Sequence, residues 1–232
     1  MVGGFINNNE VAEMWKGNKK VWPLYASDGL VQHYDAIVHG DTTEIWSDLV
    51  GSNDGVIKNA VWSGDSLVFN GVNSIVEYSG EITPRYTMMG VVAVEHLSAN
   101  YNPRFTDGNL TYGAGIYFAR NASNNDWAYA LWGHGKDTVF VPRTPSKNGI
   151  RVHIAYLFNG SAVRLYINGT YTGQIATTQE AQSRATTYLG GSDYPNRLLK
   201  GEICNFMRYD RNLADDEIYN NYFIDKKRFN IQ

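Results

Sequence analysis

The chain has 232 residues, of which 43% are apolar and 19% charged, and its formal net charge is −3. That composition holds enough apolar material for a sizeable core and is not that of a disordered chain. Lys and Arg do not gather into a basic face interleaved with aromatics, which argues against a nucleic-acid partner, and no segment is apolar for long enough to insert into a bilayer.

The first 20 residues, "MVGGFINNNEVAEMWKGNKK", lack the continuous apolar run of an export signal, so synthesis in a cytoplasm without directed export is expected. Residues 1–27 read as an arm ahead of a larger domain. Met14, Trp15, Val21, Trp22 and Tyr25 give it a heavy apolar load. Such side chains either pack back onto the domain or dock against another subunit, and the sequence leaves both open. A strand is expected at Leu30–Asp35. In "DLVGSNDGVIKNAVWSGDSLVFNGV", Asp48 to Val72, short β-prone runs alternate with Asn53-Asp54-Gly55 and Ser63-Gly64-Asp65, residues that tolerate positive φ.

Further strands are expected at Tyr86–Leu97, Thr111–Arg120, Trp127–Trp132 and Gly201–Tyr209. Between them "IRVHIAYLFNGSAVRLYINGTYTGQI" carries Asn159-Gly160 and Asn168-Gly169, each flanked by β-prone residues, which predicts a three-stranded meander. In its middle strand Val163, Leu165 and Ile167 share one face, and Arg164 and Tyr166 the other. The sequons at Asn109, Asn121, Asn159 and Asn168 read as turn chemistry. Cys204, the only cysteine, excludes an internal disulfide and a Cys-based zinc site and reads as a small core residue. Helical periodicity is clear once, in "LADDEIYNNYFIDKKRF". Ile218, Tyr222 and Phe223 fall on one face there, with acids in the first turn and bases after the last.

"IWSDLVGSNDGVIKNAVW", "LVFNGVNSIVEY", "VRLYINGTYTG" and "GEICNFMRYDRNLADDEIYNNY" occur in that order, from about Asp28 to Phe223. Together they resemble the laminin-G-like branch of the concanavalin A-like lectin/glucanase superfamily. The resemblance implies an all-β, two-sheet antiparallel jelly-roll sandwich with a short C-terminal helix and an N-terminal arm. The resulting division is an assembly arm at 1–27, the jelly-roll at 28–224 and a tail at 225–232. The early "MWKGNKKVWPLYASDGLVQHYD" and the closing "YDRNLADDEIYNNYFIDKKRFNI" resemble tail or fibre components of tailed phages. That implies a virion protein made in a bacterial cytoplasm. It would be bound to other virion proteins through its arm, form homo-oligomers and be able to reach host-surface polysaccharide.

The departures from the family pattern bear on chemistry. The family often reads Phe-Asp-Gly-x-Asp-Asp where this chain has Phe69-Asn70-Gly71-Val72-Asn73-Ser74, and an acid is common at the place of Cys204. With those carboxylates replaced, no metal or other cofactor is expected. Asp54 and Asp65 read as turn residues. Ala214 stands where a hydroxyl N-cap is usual. Glucanases of the superfamily set carboxylates on alternate residues of one strand, because retaining chemistry needs them about 5 Å apart. Here Glu95 and Glu202 are each alone on their strands, and Asp215, Asp216 and Glu217 belong to a helix start. The five histidines, His33, His39, His96, His134 and His153, show no metal-ligand spacing, and His153 reads as an exposed or satisfied strand residue. No nucleophile elbow or phosphate loop is present. No catalytic residue is assigned, and the expectation is a non-enzyme.

Binding chemistry rests on the aromatics, 13% of residues. In "DWAYALWGHG", Trp127 and Tyr129 share one strand face, and Ala128, Ala130 and Trp132 the other. In "TYGAGIYFAR", Thr111, Gly113, Gly115 and Tyr117 share a face of small residues. If the two runs pair with those faces together, they make a shallow groove for a sugar ring, with Trp132, Tyr117, His134 and Trp127 as its candidate residues. The other reading is that small residues merely allow close packing.

Overall fold

The computed structural model describes residues 2–7, 10–16, 19–22, 25–38, 43–80, 82–96, 103–107, 114–120, 127–133, 136–145, 147–192 and 197–232. In chain order the strands are β1 (Val2–Asn7), β2 (Glu10–Lys16), β3 (Lys19–Trp22), β4 (Leu30–Asp35), β5 (Ile45–Trp46), β6 (Gly55–Lys58), β7 (Val61–Ser63), β8 (Ser66–Asn70), β9 (Ile75–Gly80) and β10 (Tyr86–Val94). They continue with β11 (Arg104–Asp107), β12 (Ala114–Arg120), β13 (Trp127–Gly133), β14 (Lys136–Pro145), β15 (Val152–Phe158), β16 (Ala162–Ile167), β17 (Thr170–Ala176), β18 (Arg184–Leu189) and β19 (Lys200–Tyr209). Helix α1 (Asp215–Arg228) follows.

Strands β1–β3 form a small antiparallel sheet of their own. The others make two antiparallel sheets, the first in the order β17-β16-β15-β10-β19-β8-β7 with β4 also on β19, the second in the order β14-β13-β12-β11-β18-β9-β6-β5. This is a jelly-roll sandwich, as the sequence implied. Strand β19 is long enough to serve two neighbours along one edge. Its start pairs with β8 through Ile203↔Leu67, and its end with β4 through Asn205↔Asp35, while β10 lies along its other edge.

The core fills the space between the sheets with large apolar side chains, among them Tyr34, Trp46, Phe69, Phe105, Phe118, Tyr156 and Phe206. Trp46 is fully buried, with the half-buried Trp62 edge-on at 5.3 Å. A second apolar layer covers the outer face of the first sheet. There Met89, Leu157, Tyr166, Met207 and Tyr209 meet Leu213, just before α1, and Ile218 of α1 itself, together with Tyr25, Ala26 and Leu30. That outer layer explains why β10 is buried at every position, where a strand with one wet face would alternate.

The helix departs from its sequence reading. Its buried residues are Ile218, Asn221, Ile224 and Asp225, so the inward face is half polar, while Tyr222 and Phe223 stay half-buried. Ala214 offers no side-chain cap. Glu217 instead accepts the Ala214 N–H at 2.9 Å and holds Arg211 through both carboxylate oxygens. The segment 225–232 carries the last helical turn and buries Phe229 and Ile231 against Val91 and Cys204. Tyr25 packs onto the domain, its hydroxyl donating to Asp225 at 2.6 Å and accepting from Arg228 at 2.5 Å. The side chains of Met14, Trp15, Val21 and Trp22 lie outside the described residues.

The turns show their chemistry directly. At Asn168-Gly169 both residues have positive φ, 49° and 71°, as a type I′ hairpin turn requires. At Asn159-Gly160 only Gly160 does, and the Asn159 Oδ1 caps the loop by accepting from the N–H groups of Ser161 and Ala162. In the loop after β8, Asn70 Oδ1 accepts from the N–H groups of Val72 and Asn73, and Asn70 Nδ2 donates to Asn73 Oδ1. Gly71 sits between them at φ 75°, where a Cβ would lie 2.8 Å from the Lys200 Cβ. Gly71→Val is therefore expected to destabilise the fold by ~1–3 kcal/mol, read as a lowered melting temperature. An unchanged melting temperature would count against the strain in this turn.

Candidate functional site

Strands β12 and β13 pair as a hairpin whose register sets Gly115 opposite Trp132 and Tyr117 opposite Ala130. The small faces of the two runs therefore do coincide. They do not form an open groove at Tyr117. Its ring is only 5% exposed, Ala130 is fully buried beside it, and the Arg104 guanidinium stacks 4.8 Å from the ring centroid. Close packing is what the small residues achieve there. The Trp132 side chain, together with His134, Thr111 and Gly113, lies outside the described residues. Trp127 is half-buried, with His96 stacked parallel on it at 4.5 Å and 9°. Burial holds the His96 imidazole below its usual pKa, so it stacks as a neutral ring.

The loop beside this stack forms a different site. The Asn148 Oδ1 accepts the His96 N–H at 2.6 Å, and the Gly149 N–H donates to the Val94 carbonyl at 2.7 Å, so residues 147–150 are tied to the end of β10. Against that loop lies a cavity of about 420 Å³, lined by Tyr129, Lys147, Ile150, Arg151, Val152, Ile167, Asn168 and Gln232. Tyr129 follows Trp127 on the same face of β13. Ile167 and Asn168 come from the end of β16 and its hairpin turn. The wall is thus aliphatic and aromatic, with a few polar groups at its edge, the usual make-up of a small-ligand pocket.

Those polar groups differ in how committed they are. The Arg151 Nε donates to Glu202 Oε1 at 2.7 Å. Its Nη1 donates to Asp65 Oδ2 and the Phe229 carbonyl, and its Nη2 to Asp65 Oδ1 and Glu202 Oε2. Every donor of that guanidinium is used, so it shapes the wall and ties the β7–β8 turn, β19 and the chain after α1 to one another. Asn168 Oδ1 accepts the His153 N–H at 3.0 Å, and its Nδ2 makes no hydrogen bond among the described residues. Lys147 and Ile150 are exposed on the lip.

The carboxylates fall into three environments. Glu95 is half exposed and pairs with Lys200 at 2.8 Å. Asp65, from the β7–β8 turn, and Glu202, from β19, are brought together by Arg151, a juxtaposition invisible along the sequence. The Arg151 hydrogen bonds hold Asp65 below the usual carboxylate range; burial pulls Glu202 upward, but Arg151 and Ser66 keep it below that range as well. Asp54 accepts the Asp48 N–H at 2.8 Å as a turn residue. Asp225 is the exception. It is wholly buried, accepts from Tyr25 and from Asn205 Nδ2 with both oxygens, and burial pushes it up to about 7.

His153 corrects its sequence reading. It is completely buried, lies 3.6 Å from Asp225, and neither ring nitrogen has a hydrogen-bond partner among the described residues. Burial drives it down to about 3, so it stays a neutral ring at neutral pH. Among the described residues no group of three or more His, Cys, Asp or Glu is placed to hold a metal ion.

Comparison with solved structures shows which proteins share this fold. The sialidase of Trypanosoma rangeli matches with a TM-score of 0.63 at 16% identity, over 88% of this chain and 34% of that one. Domain 4 of an extracellular arabinanase from Geobacillus stearothermophilus, in complex with arabinotriose, matches with a TM-score of 0.57 at 17% identity, over 82% of this chain and 96% of that one. A structure of botulinum neurotoxin type C, whose access to cells depends on interaction with two ganglioside molecules, matches with a TM-score of 0.62 at 10% identity, over 84% and 51%. The chain thus spans about a third of the sialidase and about half of the toxin chain. At these identities the likeness is one of fold. No curated protein matches the sequence. The family model of the concanavalin A-like lectin/glucanases matches residues 92–219, more than half of the chain, and this protein belongs to that superfamily.

Proposed function

We propose that this protein is a non-enzymatic carbohydrate-binding component of a virion, displayed on tail, fibre or capsid, that holds host-surface glycans in the pocket between β13 and the β16–β17 turn. The pocket carries the reading. Its volume of about 420 Å³ suits a sugar unit, and its wall offers what a sugar needs. Ile150, Ile167 and Tyr129 meet the apolar face of a ring, while the Asn168 amide and the Lys147 ammonium meet hydroxyls. Named neighbours of the same fold include the sialidase in complex with sialic acid and the arabinanase domain with arabinotriose, which is why sugars come first among candidate ligands.

The non-enzymatic part rests on the carboxylates. In most glycosidase families, cleavage uses one carboxyl that can carry a proton and a second one ionised close by. Asp65 and Glu202 are close, but both are held below the usual carboxylate range, so neither carries a proton near neutral pH. Asp225, among the described residues the one carboxyl raised near 7, is sealed on the inward face of α1, out of reach of a substrate. The virion part rests on the resemblance of the two ends of the chain to phage tail components. The separate β1–β3 sheet fits an arm that docks on other virion proteins, and repeated display would raise avidity for weakly held glycans.

The test is binding by Lys147→Ala and Ile150→Ala, both changes on the exposed lip. Each is expected to keep the wild-type melting temperature and to lose severalfold in affinity on a glycan array or by calorimetry. Unchanged binding in both would remove the pocket from the proposal.

A further inference from the structure

The Asn168-Gly169 turn has two sides. Asn168 lines the pocket. Gly169 lies so close to α1 that a Cβ there would sit 2.7 Å from Tyr222 Cδ1 and 3.1 Å from Tyr219 Cδ2. The pocket's rim therefore continues over a single residue onto the tyrosines of the helix. Tyr219 is 55% exposed, a large apolar surface to leave in water. Its ring is nonetheless held edge-to-face against Tyr222 at 6.0 Å. An aromatic ring fixed before its ligand arrives loses little freedom on binding.

The neighbourhood of Tyr219 is polar and balanced in charge. One turn earlier on α1, Asp215 accepts the Tyr166 hydroxyl at 2.6 Å and lies 3.5 Å from the Arg164 Nη1. The Arg164 guanidinium in turn stacks 4.7 Å from the ring of Tyr171, which is 42% exposed on the edge strand β17. Rings for stacking stand beside donors and acceptors of both signs. A neutral polyhydroxylated ligand meets all of these at once, whereas an anion would meet Asp215 and a cation Arg164.

We infer that Tyr219, flanked by Arg164, Asp215 and Tyr171, extends the pocket across the Asn168-Gly169 turn into a second sugar subsite, so that the ligand is an oligosaccharide and not a single sugar. This rests on the carbohydrate-binding reading of the pocket. One unit occupies the pocket, the chain passes over Gly169, and a later unit stacks on Tyr219. The lack of a side chain at Gly169 serves this path as well as the turn, since a Cβ would crowd the two tyrosines.

The experiment compares affinities for neutral arabino-, malto- and cello-oligosaccharides of one to four units, by calorimetry, in wild type, Tyr219→Ala and Tyr219→Phe. Wild type is expected to gain roughly three- to tenfold in affinity between one unit and three, the size of an aromatic stacking contact. Tyr219→Ala should abolish that gain while leaving the affinity for the single sugar and the melting temperature unchanged, and Tyr219→Phe should keep it. A gain with length that survives in Tyr219→Ala, or single-sugar affinity equal to that of the trimer in wild type, overturns the second subsite and leaves the pocket standing. No binding of any sugar by wild type removes the pocket reading itself, and this inference with it.

Discussion

Replacing His153 with leucine is expected to make the protein more stable as the pH falls from 7 to 4, and replacing Asp225 with asparagine to make it less stable over the same range. Wild type should fall between the two. The two side chains are buried 3.6 Å apart, and burial drives them in opposite directions. Asp225 is raised from 3.8 to about 7, so its contribution to stability is fully present below 3.8 and lost as the pH rises toward 7. His153 is lowered from 6.5 to about 3, so its contribution is present above 6.5 and lost as the pH falls toward 3. Displacements of that size correspond to roughly 4–5 kcal/mol in each direction, and they offset one another between about 4 and 6.5.

The surroundings of the pair are polar. Tyr25 and Asn205 donate to Asp225, Arg228 pairs with Asp35 at 2.5 Å, and His33 lies 3.7 Å from Asp35. His33 is itself lowered by burial and adds an acid loss common to all three proteins, so the readout is the difference between them. Urea unfolding free energies from pH 4 to 7 measure it. Parallel pH profiles for the two variants would show that the pair is not coupled to folding in this way.

That pair also marks where the sequence stopped being legible. The strands, the meander and the helix are written in turn residues and alternation, which act over a few positions, and β4 and the Asn168-Gly169 turn came out as expected. The inward polar residues of α1 are not written that way. Asn221 and Asp225 look like solvent positions in a helix with acids and bases at its ends. Only the folded chain shows Asn205, Tyr209 and His153 waiting on the sheet beneath them, with Tyr25 beside Asp225. Tyr117 failed as a groove residue for a related reason. The register could be argued from the small residues, but what stacks on the outer face, here Arg104 from a neighbouring strand, is a tertiary fact. The pocket draws on β13, the 147–150 loop, the β16–β17 turn and the chain's last residue, so no local pattern could have assembled it.

The same non-local pairing makes Arg151→Met the second large prediction. The substitution keeps the length and the apolar stem but removes the one cation shared by Asp65 and Glu202. The two carboxylates are left facing each other, and Phe229 loses the donor that fixes the chain after α1. A fully buried pair broken this way costs ~3–5 kcal/mol. Asp65 keeps 35% of its side chain in water, so about 3 kcal/mol is expected at pH 7. The loss should shrink on acidification. Both acids are held below their ordinary range in wild type, so their contribution is present above that range and disappears as the pH falls through it. A loss of the same size at pH 3 as at pH 7 would assign the effect to packing instead. The variant bears on chemistry as well, because Arg151 and Ser66 together hold Glu202 below the usual carboxylate range. Wild-type protein is expected to release no reducing sugar from a glycan panel. Release that Glu202→Gln abolished would show a catalytic carboxylate at the pocket's edge and overturn the non-enzymatic reading.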